Sequence, residues 1–435
     1  MLRRNINVNH GLVNGAMGVI RKVVSEAGKN NTLLPTAVSH THRGDQGKGD
    51  LKKPFCNKPH YLIKIIIAMC ESILRAHGYR TGFYSSPHLC EVRERVRLGG
   101  RVLPRAHFAR HCHRVYDTFD GDMPKYFAFL TVLAYNIFLE QRVDVAVVEV
   151  GIGGILDYTN VLRSVPIVGI TTLGLDHTTI LGHTLPEIAR AKAGIMKRGC
   201  EAFTARQADE CPLTVVPPYA TYNLPTDILQ VNLPAYQTNA SLAIQLAHSW
   251  LRFDGYFVVP VETVVGLKEC KWPGRYQKIE SDYATFYLDG AHTAESMDIC
   301  AKWFGGNARS EDKVLIFSLT GDRDAEVLLK PLKQFNFDSV FFVIPTAYND
   351  ITKKNDNYSL TEQKDFISRC YSCAEVWKAD PGNGSSVYAM ESVSEALIHI
   401  KRSYNSIHKS SVLITGSLHL VGAALSIIDP NLSRD

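Results

Sequence analysis

From residue 62 onward, short apolar runs alternate with segments whose apolar positions recur every three or four residues. That alternation predicts a parallel sheet with helices on its faces. "VDVAVVEV" (143–150) is a continuous β-branched run, as expected of a strand buried on both sides, and "VPIVGITTL" (165–173) is another. Between them "GIGG" and "DYTNV" form a loop. "HTLPEIARAKAGIMKRG" (183–199) predicts a helix, with Thr184 as N-cap, Glu187 completing a capping box, Pro186 in the first turn and Gly199 as the stop.

A second αβ series begins after "KWPGRY" (271–276), which sets the domain boundary near Trp272–Pro273–Gly274. Its strands are expected at 284–289, 313–319, 337–345 and 411–416, with helices at 325–335 and 391–404. The polar stretches 347–358 and 378–386 read as surface loops. The domain plan is therefore an atypical segment over 1–60, an α/β unit over 61–270 and a second α/β unit over 271–435. "YLIKIIIAMC" (61–70) is too short to cross a bilayer and carries Lys64, so no membrane span is expected.

At 435 residues, 45% apolar and 21% charged, the chain is long enough for two cored domains and too apolar to be disordered. A net charge of +5 favours acidic small molecules slightly and gives no strongly basic face for nucleic acid. The ten cysteines are scattered; Cys370 and Cys373 form a CxxC with no second pair to complete a zinc site. That usage suggests a reducing compartment, the cytoplasm, with the mitochondrion as alternative because no acidic residue precedes Glu26.

In open α/β sheets the ligand crevice lies beyond the carboxyl ends of the strands. Glu149 closes one predicted strand, Asp176 and His177 follow the next, and Asp289 closes a third with Gly290 and His292 behind it. Thr415 and Ser417 follow a fourth. One acid at a strand end is more often a cap or a loop hydrogen bond; several in one chain point to a site. Upstream, "HRGDQGKGDLKK" (42–53) sets Gly44, Gly47 and Gly49 around Lys48, the way a backbone wraps phosphates, but Asp50 stands where a hydroxyl should follow.

Six stretches together resemble folylpolyglutamate synthase, one of the Mur-ligase-like ATP-dependent amide ligases. They are "SSPHLCEVRERVRLGG" (85–100), "VDVAVVEVGIGGILDYTNV" (143–161), "GITTLGLDHTTILGHTLPEIARAKAGIMK" (169–197), "WPGR" (272–275), "YLDGAHTAESM" (287–297) and "LITGSLHLVGAAL" (413–425). The resemblance is colinear from about Glu71 to Pro430. It implies a Mur-type central ATPase domain with a parallel sheet, followed by a smaller Rossmann-like α/β domain, with ATP in the cleft between them. It further implies joining of L-glutamate to the γ-carboxyl of a reduced folate or folate polyglutamate, through an acyl phosphate made from ATP.

By the same resemblance Ser86, Glu149 and His177 hold Mg²⁺, and Lys192 in "RAKAGI" is the lysine that becomes carbamylated. On chemical grounds alone Lys192 reads as a solvated helix lysine. Gly44, Gly47, Lys48, Gly49, Asn239, Arg275 and Asp289 match ATP contacts; His292 and Ser417 match the incoming glutamate, Ser417 also suiting an N-cap. Lys48, Lys192 and His177 are the catalytic set. A monovalent cation is allowed beside Mg²⁺, and a monomer is expected.

The resemblance breaks at the phosphate loop. Some fifteen residues, "DLKKPFCNKPHYLIK" (50–64), separate Lys48 from "ESILRAHGYRTG" (71–82), which matches the helix that normally follows directly, and the missing hydroxyl should fall near position 65. The strand that leads into the loop is also missing, and 1–23 resembles a fragment of a DNA helicase too short for that activity. Separating loop from helix and placing Asp50 beside phosphate should weaken ATP binding. Two alternatives therefore stand beside a working synthase: an impaired folate- or glutamate-binding remnant, and dihydrofolate synthase.

Overall fold

The computed structural model describes residues 16–21, 63–119, 123–175, 177–205, 207, 213–253, 258–320, 323–348, 363–380 and 384–432. The first sheet is built from β1 (Ala16–Arg21), β2 (Thr81–Tyr84), β3 (Val96–Leu98), β4 (Arg101–Val102), β5 (Val145–Glu149), β6 (Ile167–Ile170), β7 (Glu201–Thr204) and β8 (Thr214–Val215). Their order across the sheet is β4-β3-β2-β5-β1-β6-β7-β8. β2 and β5 are parallel, as are β6, β7 and β8, whereas β3 and β4 fold back as an antiparallel edge. All five residues of β5 are buried, as the unbroken apolar run requires.

β1 lies in the middle of this sheet and runs antiparallel to both neighbours, with Met17 opposite Glu149 and Arg21 opposite Val145. Its carboxyl end is thus level with the amino end of β5, away from Glu149. The chain leaves the central strand on the side opposite the crevice, the reverse of a strand that feeds a phosphate loop.

The second sheet comprises β9 (Gln277–Glu280), β10 (Ala284–Leu288), β11 (Lys313–Phe317), β12 (Ser339–Val343), β13 (Ser386–Met390) and β14 (Ser410–Thr415). The order is β13-β12-β11-β14-β10-β9, parallel throughout except for β9. The four expected strands are present, and β13 is an addition: the stretch 378–386 read as loop ends in its first residue.

The helix Ile63–Ala76 absorbs the apolar run at 61–70 and packs against the helices Pro234–Leu251 and Val261–Glu269. Ile65, Ile67, Met69 and Ile73 join Leu242, Ala243 and Leu246 in one core cluster. The helices meet closely at Gly266, where a Cβ would come within 2.6 Å of Ile73 Cα.

Two helices are shorter than their periodicity suggests. The one expected over 183–199 spans Leu185–Ala193, with the Thr184–Glu187 capping box in place. It stops at Gly194, which is pressed against Ile155, while Gly199 takes φ +82° in the turn before β7. Ala325–Leu329 passes into a short tight turn, Lys330–Leu332, at Pro331, which has no N–H to continue the helix. Cys370 and Cys373 sit on the helix Gln363–Lys378, where burial pushes both thiols up to about 12.

Candidate active site

Glu149 is the last residue of β5 and is 2% exposed. β2 is its parallel neighbour, so the segment leaving β2 emerges beside it. There the backbone N–H of Ser86 donates to Glu149 Oε2 at 2.8 Å. Burial raises the Glu149 carboxyl above its ordinary range; Lys64, the Ser86 amide, Arg95 and Arg275 pull the other way.

The loop that carries Ser86 is organised by Glu94. Its carboxylate accepts from the N–H groups of Leu89 and Cys90 at 3.0 Å and of Glu91 at 2.7 Å. Arg95 Nε donates to His88 Nδ1 at 2.9 Å. Arg93, Glu94 and Arg95 are all buried, although a run of alternating charge reads in sequence as a solvated face. The "GIGG" loop after β5 is held in a similar way, with Asp157 accepting from the amides of Ile152 and Thr159 at 2.8 and 2.9 Å. Neither Glu94 nor Asp157 stands at a strand tip, which is why tip-reading passes over them.

From the second half, Arg275 is 1% and Asp289 0% exposed. Asp289 Oδ2 accepts from the Tyr276 N–H at 3.1 Å, and the Gly290 N–H donates to Gly274 O at 3.2 Å, so "WPGRY" is tied to the tip of β10. Burial lifts the Asp289 carboxyl to about 6, with Arg275 opposing. The Arg275 guanidinium acts electrostatically on Glu149, Lys64 and Asp289 alike, which joins the two halves into one charged cluster.

The remaining expected residues divide. His177 has φ 53° and N-caps the short helix Thr178–Leu181, with its side chain exposed. Lys192 is 2% exposed on the helix Leu185–Ala193, so it is not the solvated lysine that residue type alone suggests. Asn239 Nδ2 and Asp289 Oδ1 are buried atoms that accept or donate no hydrogen bond among the described residues. His292 Nδ1 bonds Gly290 O at 2.8 Å, and Ser417 accepts from the Leu420 N–H at 3.1 Å as N-cap of the helix Leu418–Ile428. Gly44, Gly47, Lys48, Gly49, Asp50 and Asp176 lie outside the described residues. Lys64, which in sequence only interrupts an apolar run, is 7% exposed and donates to Pro87 O in the same loop as Ser86.

Among the described residues no group of three or more His, Cys, Asp and Glu side chains is spaced to hold a metal. A buried carboxylate with one oxygen already held and a neighbouring hydroxyl still suit a hard cation that takes oxygen donors and keeps waters or phosphate oxygens. The unsatisfied Asp289 Oδ1 and Asn239 Nδ2 fit a polar ligand that completes them.

Residues 274–427 match the family model described as dihydrofolate synthetase, C-terminal domain. The chain is 33% identical to the mitochondrial folylpolyglutamate synthase of Bos taurus, covering 84% of this chain and 82% of that one. It is 34% identical to the mitochondrial enzyme of Homo sapiens (84% and 81%) and 36% to a putative folylpolyglutamate synthase of Caenorhabditis elegans (83% and 79%). Among solved structures, E. coli FolC in complex with ADP is similar with TM-score 0.65 at 23% identity, covering 85% of this chain and 88% of that one. The bifunctional folylpolyglutamate synthase/dihydrofolate synthase of Yersinia pestis with AMPPNP and Mn gives 0.64 at 22%, covering 84% and 86%. Those two likenesses establish the fold, an α/β domain with a largely parallel sheet followed by a smaller α/β domain. With relatives above 30% identity along most of both chains, this chain belongs to the folylpolyglutamate synthase family.

Proposed function

We propose that the chain is an ATP-dependent ligase that adds L-glutamate to the γ-carboxyl of a reduced folate or folate polyglutamate. The observation that supports it most is the buried cluster in which Glu149, held by the Ser86 amide, shares the electrostatic field of Arg275 with Asp289. A carboxylate is a poor acylating agent, so phosphate is first installed on it as leaving group, and the amine of glutamate then displaces that phosphate.

Each residue has a part that its chemistry suits. Glu149, with Ser86 and His177, would hold Mg²⁺, which neutralises charge building on the transferred phosphoryl group. Arg275 offers a planar fork to phosphate oxygens from a water-poor position, where such a contact is stronger than in water. Asp289 and Asn239, with unsatisfied buried atoms, would take the ribose or base of the nucleotide. Lys192, buried beyond the "GIGG" loop, suits a carbamylated lysine better than a solvated one. Lys48 with Gly44, Gly47 and Gly49 would wrap phosphates, and His292 and Ser417 would face the incoming glutamate. No described residue is assigned to a monovalent cation, and a monomer is the expected state.

A second reading, a folate-binding relative that no longer turns over ATP, is favoured by β1, whose carboxyl end points away from the crevice. Titration with Mg-ATP separates the two, because the ligase must bind it and the remnant must not. A mitochondrial site would match the bovine and human relatives and the acid-free opening of the chain; a cytoplasmic one would match the eight free thiols among the described residues.

A further inference from the structure

The loop that leaves β2 is tied to the first half through the Ser86 N–H on Glu149 and through Lys64 on Pro87 O. Its apolar side chains go the other way. Leu89 and Cys90, 8% and 4% exposed, belong to the core cluster of the second half, whose other buried members all lie between Ala284 and Leu425. In that cluster they join Leu420, Val421 and Ala424 of the helix Leu418–Ile428. The Cys90 Sγ donates to Gly422 O of the same helix at 3.3 Å.

The seat of Leu89 is a close one. Gly274 has φ +70°, and a Cβ there would come 2.8 Å from Val421 Cγ1 and 3.2 Å from Leu89 Cδ1. Leu89 is therefore lodged between the turn that precedes Arg275 and the helix that Ser417 caps. Its side chain has no polar atom to offer a substrate, so what it supplies is placement.

The two anchors of the loop are three residues apart, and at most about 11 Å of chain can join them. Unseating Leu89 and Cys90 would return apolar surface to water and leave a void in the second core. A shift of the second half against β5 must then either be felt at Ser86 or pull Leu89 from its seat. We propose that Leu89, supported by Cys90, is a positioning residue that holds Ser86 against Glu149 from its seat in the second half. The proposal rests on the ligase reading above and adds to it a residue that touches none of the reacting groups. Through it the place of Ser86 is set jointly with that of Arg275 and of the Ser417 helix.

The test combines hydrogen–deuterium exchange of the ligand-free full chain, read on the peptide Ser85–Glu91, with calorimetric titration of Mg-ATP. Leu89→Ala empties the seat, Leu89→Met refills it, and Cys90→Ala is a milder change should Leu89→Ala fail to fold. Phe341→Leu is the control: it loosens the same core where the ring packs on Tyr388 and His399. In Leu89→Ala the loop amides should exchange at least about fivefold faster, and Mg-ATP should bind at least about tenfold more weakly. Leu89→Met should restore both to within about twofold, and Cys90→Ala should move both in the same direction by about threefold. Phe341→Leu should lower the Tm and leave both readouts unchanged. Equal loop exchange in wild type and Leu89→Ala, or faster exchange with unchanged Mg-ATP affinity, would overturn the proposal and leave the ligase reading standing. Equal changes in Phe341→Leu would overturn it too, as general loosening of the second core. Failure of the wild type to bind Mg-ATP would remove the ligase reading, and the exchange comparison would then decide the anchoring by itself.

Discussion

The Ser86 N–H donates to Glu149 Oε2 at 2.8 Å, which locks the loop leaving β2 to the tip of β5. The two strands are parallel neighbours, so the contact follows from sheet order and places a carboxylate and a hydroxyl-bearing residue side by side at the crevice. Burial keeps the Glu149 carboxyl above its ordinary range, so the ionised form is held against a desolvation cost.

Glu149→Gln should therefore separate function from stability. The amide oxygen still accepts from Ser86, while the buried charge is gone. We expect an unchanged or higher Tm together with a fall of at least about a hundredfold in ATP turnover. Calorimetry and ADP release measure the two effects; a lower Tm with unchanged turnover would contradict the assignment.

Arg275→Lys tests the planar fork. A lysine retains the charge but loses bidentate geometry, and turnover should drop by about tenfold or more with the Tm little altered. Loss of Tm with full turnover would make Arg275 a structural link between the halves only.

Val19→Pro tests β1. In the middle of a sheet a proline removes a ladder hydrogen bond and strands its acceptor, so urea unfolding should show a loss of about 1–3 kcal/mol. An unchanged midpoint would place Ala16–Arg21 outside the sheet.

His248 gives a pH dependence with a defined sign. It is buried on the helix Pro234–Leu251, and its Nε2 lies 2.9 Å from Thr263 Oγ1, which His77 Nε2 approaches at 3.0 Å from the helix Ile63–Ala76 side. Burial lowers the His248 pKa from 6.5 to about 4. Between those values the unfolded chain binds the extra proton, so stability is full above pH 6.5 and falls as pH drops towards 4, by about 3 kcal/mol. His248→Gln should flatten that part of the Tm-against-pH curve; an equal slope in both proteins would exclude His248 as its source.

Strand positions were legible because β5, β6, β10, β11, β12 and β14 are apolar runs with little else to do. Their tips led to Glu149 and Asp289 for the same reason. Residues buried by the folding of a loop were not legible: Lys64, Glu94 and Arg95 look like surface charges until the loop after β2 is in place. Lys192 is the same case on a helix face. β1 was hidden because its orientation depends on which slot the sheet leaves open, and β13 because its short strand abuts a loop-like sequence. The helix over 183–199 was overextended because periodicity does not register Gly194 pressed on Ile155.

The most direct test of the account is incubation of the full chain with tetrahydrofolate, L-glutamate, Mg²⁺ and ATP, followed by mass spectrometry of the folate and measurement of ADP. A working synthase lengthens the folate by a glutamyl residue, with ADP formed in step with each addition. Folate recovered at its original mass, with ATP intact and both substrates present, would contradict it.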